Sequence, residues 1–263
     1  MRNGMRCRAR AAVSMPSCTF RSRHRFKYLQ MVVSPTKLVL LPGLDGTGQF
    51  FSRLEAVLDN RVPLQVVKYP TDAMMSLDDY CAYAEAAIGG GSAVLLGESF
   101  SGPIAVKLAA KIPGEVKGLI LVATYLKNPW PRWMIRRAAH TSPTAVPRGW
   151  IDAVLSGPDE DRALAAQIAG VMAGFSDELR SARLELVATT DVRAVFQRLA
   201  CPILALHGRS DWLVPRFALQ RALKPMPGAR MKVLSGPHML LQKSAAEAGQ
   251  VIEAFFNSIE GSL

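Results

Sequence analysis

Val94-Leu95-Leu96-Gly97-Glu98-Ser99-Phe100-Ser101-Gly102-Pro103-Ile104-Ala105 passes from a short apolar run, through small residues around one serine, to apolar positions at helical spacing. That order predicts a strand, a sharp turn and a helix. A serine on such a turn has little backbone freedom, so its hydroxyl stands clear of the sheet. The first amides of the following helix have no partner within it and point towards that hydroxyl. This suits a nucleophile attacking a carbonyl, because free amides can bind the oxyanion that develops. A serine at the start of a helix is also a common cap, so the turn alone leaves both readings open.

Working outward, the same strand-then-loop pattern recurs on both sides. Thr36-Lys37-Leu38-Val39-Leu40-Leu41-Pro42-Gly43 reads as a buried strand running into Gly43-Leu44-Asp45-Gly46-Thr47-Gly48. This loop lacks the Lys-Ser/Thr of a P-loop and the glycine spacing of a dinucleotide fingerprint. A helix is expected over 49–58, a strand over 64–69, and a helix over 76–88 with an acidic first turn. The strand at 93–96 leads to a helix over 102–112, where Pro103 in the first turn costs nothing. A further buried strand is expected over 116–123. From about 127 to 187 the strand rhythm gives way to helical segments, including 158–175 with Asp159, Glu160 and Asp161 in its first turn. Strands return at 201–208 and 230–234, and an amphipathic helix over 244–256 closes the chain. Uniformly apolar strands alternating with helices predict an α/β fold, a mostly parallel sheet with helices on both faces.

Composition bounds the rest. With 263 residues, 49% of them hydrophobic, the chain can bury one large core without disulfides or metal. Cys7, Cys18, Cys81 and Cys201 have neither metal-ligand nor disulfide-framework spacing and read as reduced thiols of a cytoplasmic protein. No apolar run approaches the ~20 residues of a membrane span. The net charge of +11 is concentrated in residues 1–34, which hold eight basic side chains and no acid. The remainder carries 24 basic against 21 acidic residues, so the fold itself gives no nucleic-acid signal. Three readings of 1–30 compete: a disordered or non-native extension with the true start at Met31, a transit peptide, or a tail for nucleic acid or an anionic surface. The expected organisation is therefore a basic extension (1–34), a core (35–126 and 188–263) and an inserted helical lid (127–187).

Ser99, Asp211 and His238 each fall in a loop just after a predicted parallel strand, the edge where open α/β sheets place their ligands. The order Ser, Asp, His along the chain resembles the α/β-hydrolase superfamily, and Gly97-Glu98-Ser99-Phe100-Ser101 resembles its nucleophile elbow with Ser101 in place of the last glycine. Within it the chain is similar to small lidded carboxylesterases, including those that cleave the methyl ester of pimeloyl-acyl carrier protein. The resemblance covers residues 36–259. It implies Ser99 as nucleophile, His238 as base, Asp211 as its orienting carboxylate, and the amides of Leu44 and Phe100 as oxyanion donors. It also implies hydrolysis of an ester or thioester through an acyl-enzyme, with no metal or organic cofactor. His207 and His140 compete for the base, and Asp45 and Glu98 for the carboxylate. An acyltransferase with an alcohol acceptor and a non-catalytic ligand-binding protein on the same fold are the alternative functions.

The lid holds Trp130, Trp133 and Trp150, which with Trp212 are candidates for an acyl pocket. The bland alternative is that they fill the lid's own core. Lys127, Arg132, Arg136, Arg137 and Arg148 lie in an acid-free stretch and form either a solvated face or a basic rim. Such a rim suits an acyl ester whose distal part is anionic, such as an acyl carrier protein or a coenzyme A thioester.

Overall fold

The computed structural model describes residues 35–141, 149, 154–157 and 161–261. The basic extension and Trp150 lie outside them. In chain order the elements are β1 (Lys37–Leu41), α1 (Ser52–Leu58), β2 (Leu64–Val66), α2 (Leu77–Ile88), β3 (Ala93–Glu98), α3 (Gly102–Lys111) and β4 (Val116–Val122). Then follow α4 (Arg132–His140), α5 (Arg162–Ala173), α6 (Asp177–Thr189), α7 (Arg193–Phe196), β5 (Ile203–Gly208), α8 (Arg216–Leu223), β6 (Arg230–Leu234), α9 (Leu240–Lys243) and α10 (Ala245–Glu260).

The six strands make one sheet in the order β2-β1-β3-β4-β5-β6, with every neighbouring pair parallel. Successive strand residues face opposite sides, and both sides are covered. Val39, Leu41, Leu95, Leu119 and Leu121 share one core with Tyr80 and Ala84 of α2 and Ile104 and Leu108 of α3. Leu38, Leu40, Val94, Leu96 and Ile120 share the other with Leu54 of α1 and Ile252 of α10. This two-faced burial is why the strands read as unbroken apolar runs.

Local chemistry fixes the element ends. Ser76 and Asp79 form a reciprocal capping box at the start of α2, and Gly89 ends it at φ +66°. The strand expected over 64–69 stops at Val66, because the chain bends across the glycine loop and the Tyr69 amide donates to the Gly46 carbonyl at 2.8 Å. β3 runs two residues past 96, since Gly97 and Glu98 pair with Leu121 and Val122. Asp161 lies outside α5 as its cap, accepting from the Leu164 amide, and also receives Arg53 of α1; 158–160 lie outside the described residues. The last helix extends to Glu260 rather than 256.

Between β4 and β5 stand α4 to α7. Lys127 and Asp191 meet in an isolated antiparallel bridge, so the two ends of this insertion lie together. Because α6 runs to Thr189, the returning end falls slightly beyond the expected 187. α4 is held on α6 by Arg180, which donates to the Ala138 and Thr141 carbonyls, and by Ser181, which donates to that of Ala139.

Candidate active site

The turn after β3 is as sharp as the sequence implies. Ser99 has φ +48°, a left-handed conformation that costs a non-glycine residue about 1–2 kcal/mol. The surrounding contacts impose it. The Ser99 carbonyl accepts from the Gly102 amide and from the Thr124 hydroxyl at the end of β4. A Cβ on Gly97 would stand 2.7 Å from the Ser101 carbonyl oxygen, and one on Gly102 would collide with the Thr124 side chain. Glycine at these two positions lets α3 start directly against the sheet.

Across the sheet edge, the Ser99 hydroxyl lies 3.0 Å from His238 Nε2, and His238 Nδ1 lies 2.9 Å from Asp211 Oδ2. Asp211 is held in turn: its Oδ1 accepts from the Leu213 and Val214 amides, both at 2.9 Å. Burial would raise the Asp211 carboxyl, but the His238 hydrogen bond and charge and the Val214 amide together bring it below its ordinary value. An ionised Asp211 keeps the imidazole proton on Nδ1, so Nε2 presents its lone pair to the Ser99 hydroxyl. The chain of bonds can therefore move a proton off Ser99.

The competing groups do not join this chain of bonds. His207 is fully buried, with Nδ1 on the Gly208 carbonyl at 3.1 Å and Nε2 unpartnered, 3.9 Å from Asp211 Oδ2. Burial lowers its pKa, so it stays neutral behind the carboxylate. His140 is exposed at the end of α4. Asp45 accepts from the Thr47 amide and hydroxyl within its own loop. Glu98 is buried and bonded by Gln242 Nε2, and burial pushes it up to about 7.

Ser99, His238, Leu44 and Phe100 open onto a cavity of about 260 Å³. Phe100 stands in the first turn after Ser99, where an amide has no intrahelical partner, and Leu44 lies within the turn closed by the Gly46 amide on the Gly43 carbonyl. The walls are apolar: Phe50, Tyr125, Ile135, Ile168, Phe175 and Met239 contribute, drawn from the core and from the insertion. Of the expected tryptophans, Trp130 lines the cavity and donates its indole N–H to the Leu213 carbonyl at 2.8 Å. Trp133 and Trp212 do not line it. They are 66% and 78% exposed, so they fill neither the pocket nor a lid core. Phenylalanine, isoleucine and methionine supply the area the tryptophans were expected to give.

The basic stretch is partly neutralised. Arg136 makes a two-pronged bond to Glu185, and Lys127 lies 3.6 Å from Asp191. Arg132 and Arg137 have no carboxylate partner within 4.0 Å among the described residues. Arg148 lies outside them.

The family model described as serine aminopeptidase, S33 (Hydrolase_4) matches residues 66–242, more than half of the chain. The chain belongs to that serine hydrolase family. A pimeloyl-[acyl-carrier protein] methyl ester esterase of Nitrosomonas europaea is 27% identical over 156 residues, 54% of this chain and 61% of the relative. The match thus spans less than two thirds of that relative's length. One of Xanthomonas oryzae pv. oryzae is 28% identical over 250 residues, covering 84% of this chain and 95% of the relative. Among solved structures, the enol-lactonase of Burkholderia xenovorans LB400 superposes with a TM-score of 0.75 at 16% identity, over 85% of this chain and 92% of that one. The fold is that of the α/β-hydrolases.

Against the superfamily pattern, Ser101 is not a flaw at the helix–strand contact. That contact is made by Gly97 and Gly102, while the Ser101 hydroxyl is buried, donates to the Pro42 carbonyl and meets the Tyr69 hydroxyl at 2.9 Å. Three supporting residues escape a motif reading: Thr124 on the elbow, Gln242 on Glu98, and Arg183 on the glycine loop. Only Arg183 left a signal. It stands four residues from both Leu179 and Val187, so it occupies a core-facing position of α6 where an apolar residue is expected.

Proposed function

We propose that the protein is a serine carboxylesterase acting on a carboxylic ester or thioester through an acyl-enzyme. The observation that carries this is the pair of bonds from Ser99 to His238 at 3.0 Å and from His238 to Asp211 at 2.9 Å, on a strained elbow at the wall of an apolar cavity. Ser99 Oγ attacks the acyl carbonyl as His238 Nε2 takes its proton, and Asp211 stabilises the imidazolium. The amides of Phe100 and Leu44 bind the oxyanion, each worth about 3–4 kcal/mol in the transition state. His238 returns the proton to the leaving alcohol or thiol. Water, activated by the same histidine, then attacks the acyl-enzyme, and Ser99 leaves with the proton.

The acyl chain lies between the core and α4 to α6, which act as a lid over the site. The names of the two relatives support an acyl ester as substrate, and the mostly apolar walls, with Asp45 and Glu98 at the Ser99 end, support an aliphatic acyl group. Ile135 of α4 lines the cavity, and Arg132 and Arg137 on the same helix have no carboxylate within 4.0 Å among the described residues, which favours an anionic carrier such as an acyl carrier protein or coenzyme A. In this reading the enzyme works in the cytoplasm, where the free thiols Cys81 and Cys201 stay reduced.

The test is a chain-length series of p-nitrophenyl esters, run beside acyl thioesters, on wild type and Ser99→Ala. Turnover that survives in the variant removes Ser99 from the chemistry. Activity on amino-acyl p-nitroanilides but not on esters would move the substrate class to that of the family's description.

A further inference from the structure

Arg183 is fully buried on α6, yet its guanidinium meets only neutral oxygens. Nε donates to the Tyr80 hydroxyl at 2.8 Å, one terminal nitrogen to the Leu44 carbonyl at 2.7 Å, and the other to the Pro70 carbonyl at 2.9 Å. The rings of Tyr80 and Phe175 lie 5.5 and 5.4 Å from its central carbon. Among the described residues no carboxylate lies within 4.0 Å of it. Burying a cation without a counter-ion is costly, and an apolar side chain of similar volume is often as stable or more so. Folding stability alone therefore gives a poor account of an arginine here.

What the guanidinium holds is the loop that carries the Leu44 amide. Gly46, at φ +76°, leaves it room: a Cβ there would stand 2.5 Å from the nearer terminal nitrogen. Three consecutive carbonyls of this loop are pinned. Pro42 accepts from Ser101 of the elbow, Gly43 from the Gly46 amide at 3.1 Å, and Leu44 from Arg183. The Leu44 N–H belongs to the middle of these peptide planes, so pinning its neighbours fixes its direction. Two of the three donors are local to the elbow and the loop. The third comes from the insertion.

We propose that Arg183 is a positioning residue for the Leu44 amide, so that helix α6 sets the oxyanion pocket through a buried guanidinium. The proposal rests on the serine esterase reading above. It makes turnover depend on the seating of α6 as well as on Ser99, His238 and Asp211. A loosened loop would bind a flat carbonyl as before and lose only the developing oxyanion.

The experiment compares wild type with Arg183→Met, which keeps an unbranched apolar stem and removes the guanidinium and its charge. Wild type, Arg183→Met and Arg183→Lys are assayed on a p-nitrophenyl ester, titrated with a straight-chain alkyl trifluoromethyl ketone, whose serine adduct carries a tetrahedral oxyanion, and melted. For Arg183→Met we expect kcat to fall about 100-fold, as for loss of one oxyanion donor. The ketone inhibition constant should rise by the same factor while KM changes by less than about threefold. Arg183→Lys, one point charge in place of a fork, should fall in between. A merely structural arginine would lower the melting temperature without making kcat and ketone affinity fall in parallel. A folded Arg183→Met with wild-type kcat and ketone affinity overturns the proposal. Should that variant fail to fold, Arg183→Lys decides it: unchanged kcat and ketone affinity overturn it, and parallel losses support it. Fluorophosphonate labelling of wild type separates the two levels. Absence of label at Ser99 removes the underlying serine reading, whereas labelling with an unaffected Arg183→Met removes this proposal alone.

Discussion

Asp211→Asn replaces one carboxylate oxygen by an NH2 group and changes little else in shape. Oδ1 still accepts from the Leu213 and Val214 amides, both at 2.9 Å, so the loop after β5 keeps its form. The new amide nitrogen then stands where Oδ2 was, 2.9 Å from His238 Nδ1. An amide nitrogen donates, so Nδ1 must give up its proton and the ring carries it on Nε2 instead. Nε2 then has no lone pair for the Ser99 hydroxyl 3.0 Å away. Trapping the wrong tautomer in this way costs about 10⁴ in kcat, or about 5 kcal/mol of barrier. The assay is steady-state hydrolysis of a p-nitrophenyl ester, with circular dichroism and thermal melting to establish that the variant is folded. We expect a native melt, KM within a few-fold of wild type and kcat down about 10⁴. A folded variant with kcat within about tenfold of wild type would refute the orienting role of Asp211.

Glu98 gives a pH signature. Burial raises its folded pKa from 4.5 to about 7, so folding favours the protonated carboxyl. Its stabilising contribution is complete below about pH 4.5 and is lost as pH rises through about 7, some 3 kcal/mol in all at about 1.4 kcal/mol per pH unit. Glu98→Gln has no such loss, so melting temperatures across pH 4 to 8 should shift progressively in the variant's favour; a pH-independent difference contradicts the assignment. Ser101→Gly removes the donor to the Pro42 carbonyl and strands the buried Tyr69 hydroxyl, at about 1–3 kcal/mol. The melting temperature should drop by a few degrees, and an unchanged melt means Ser101 is a neutral replacement. Reversing Arg132 and Arg137 to glutamate, leaving the Glu185-paired Arg136 intact, should lower kcat/KM on an acyl-carrier ester about tenfold more than on a p-nitrophenyl ester. Equal effects on both substrates would make the basic face a solvated surface only.

Much of the fold was legible because both sheet faces are buried. Strands such as 93–96 and 119–122 then carry unbroken apolar runs, and the loops after such strands hold the chemistry-bearing side chains. Ser99, Asp211 and His238 could be grouped as candidates because each follows a strand and a parallel sheet sends each strand's C-terminal loop to the same edge, while the roles given to them came from the resemblance. What depended on packing was not legible. The cavity wall is made by Phe50, Ile168 and Met239, ordinary core residues whose convergence no local pattern encodes. Trp133 and Trp212, conspicuous in sequence, face outward. Ser101 departs from the motif, which assigns glycine to its position, while the close contacts fall at Gly97 and Gly102. The role of Arg183 needs a partner 139 residues away in the chain, which no local spacing reveals.

The central claim is that Ser99 is a nucleophile activated by His238. Reaction with a fluorophosphonate, followed by peptide mass spectrometry, tests it most directly. The account predicts one adduct per chain, on Ser99, abolished in Ser99→Ala and greatly slowed in His238→Ala. An unlabelled wild-type protein, or labelling that persists in Ser99→Ala, would contradict it.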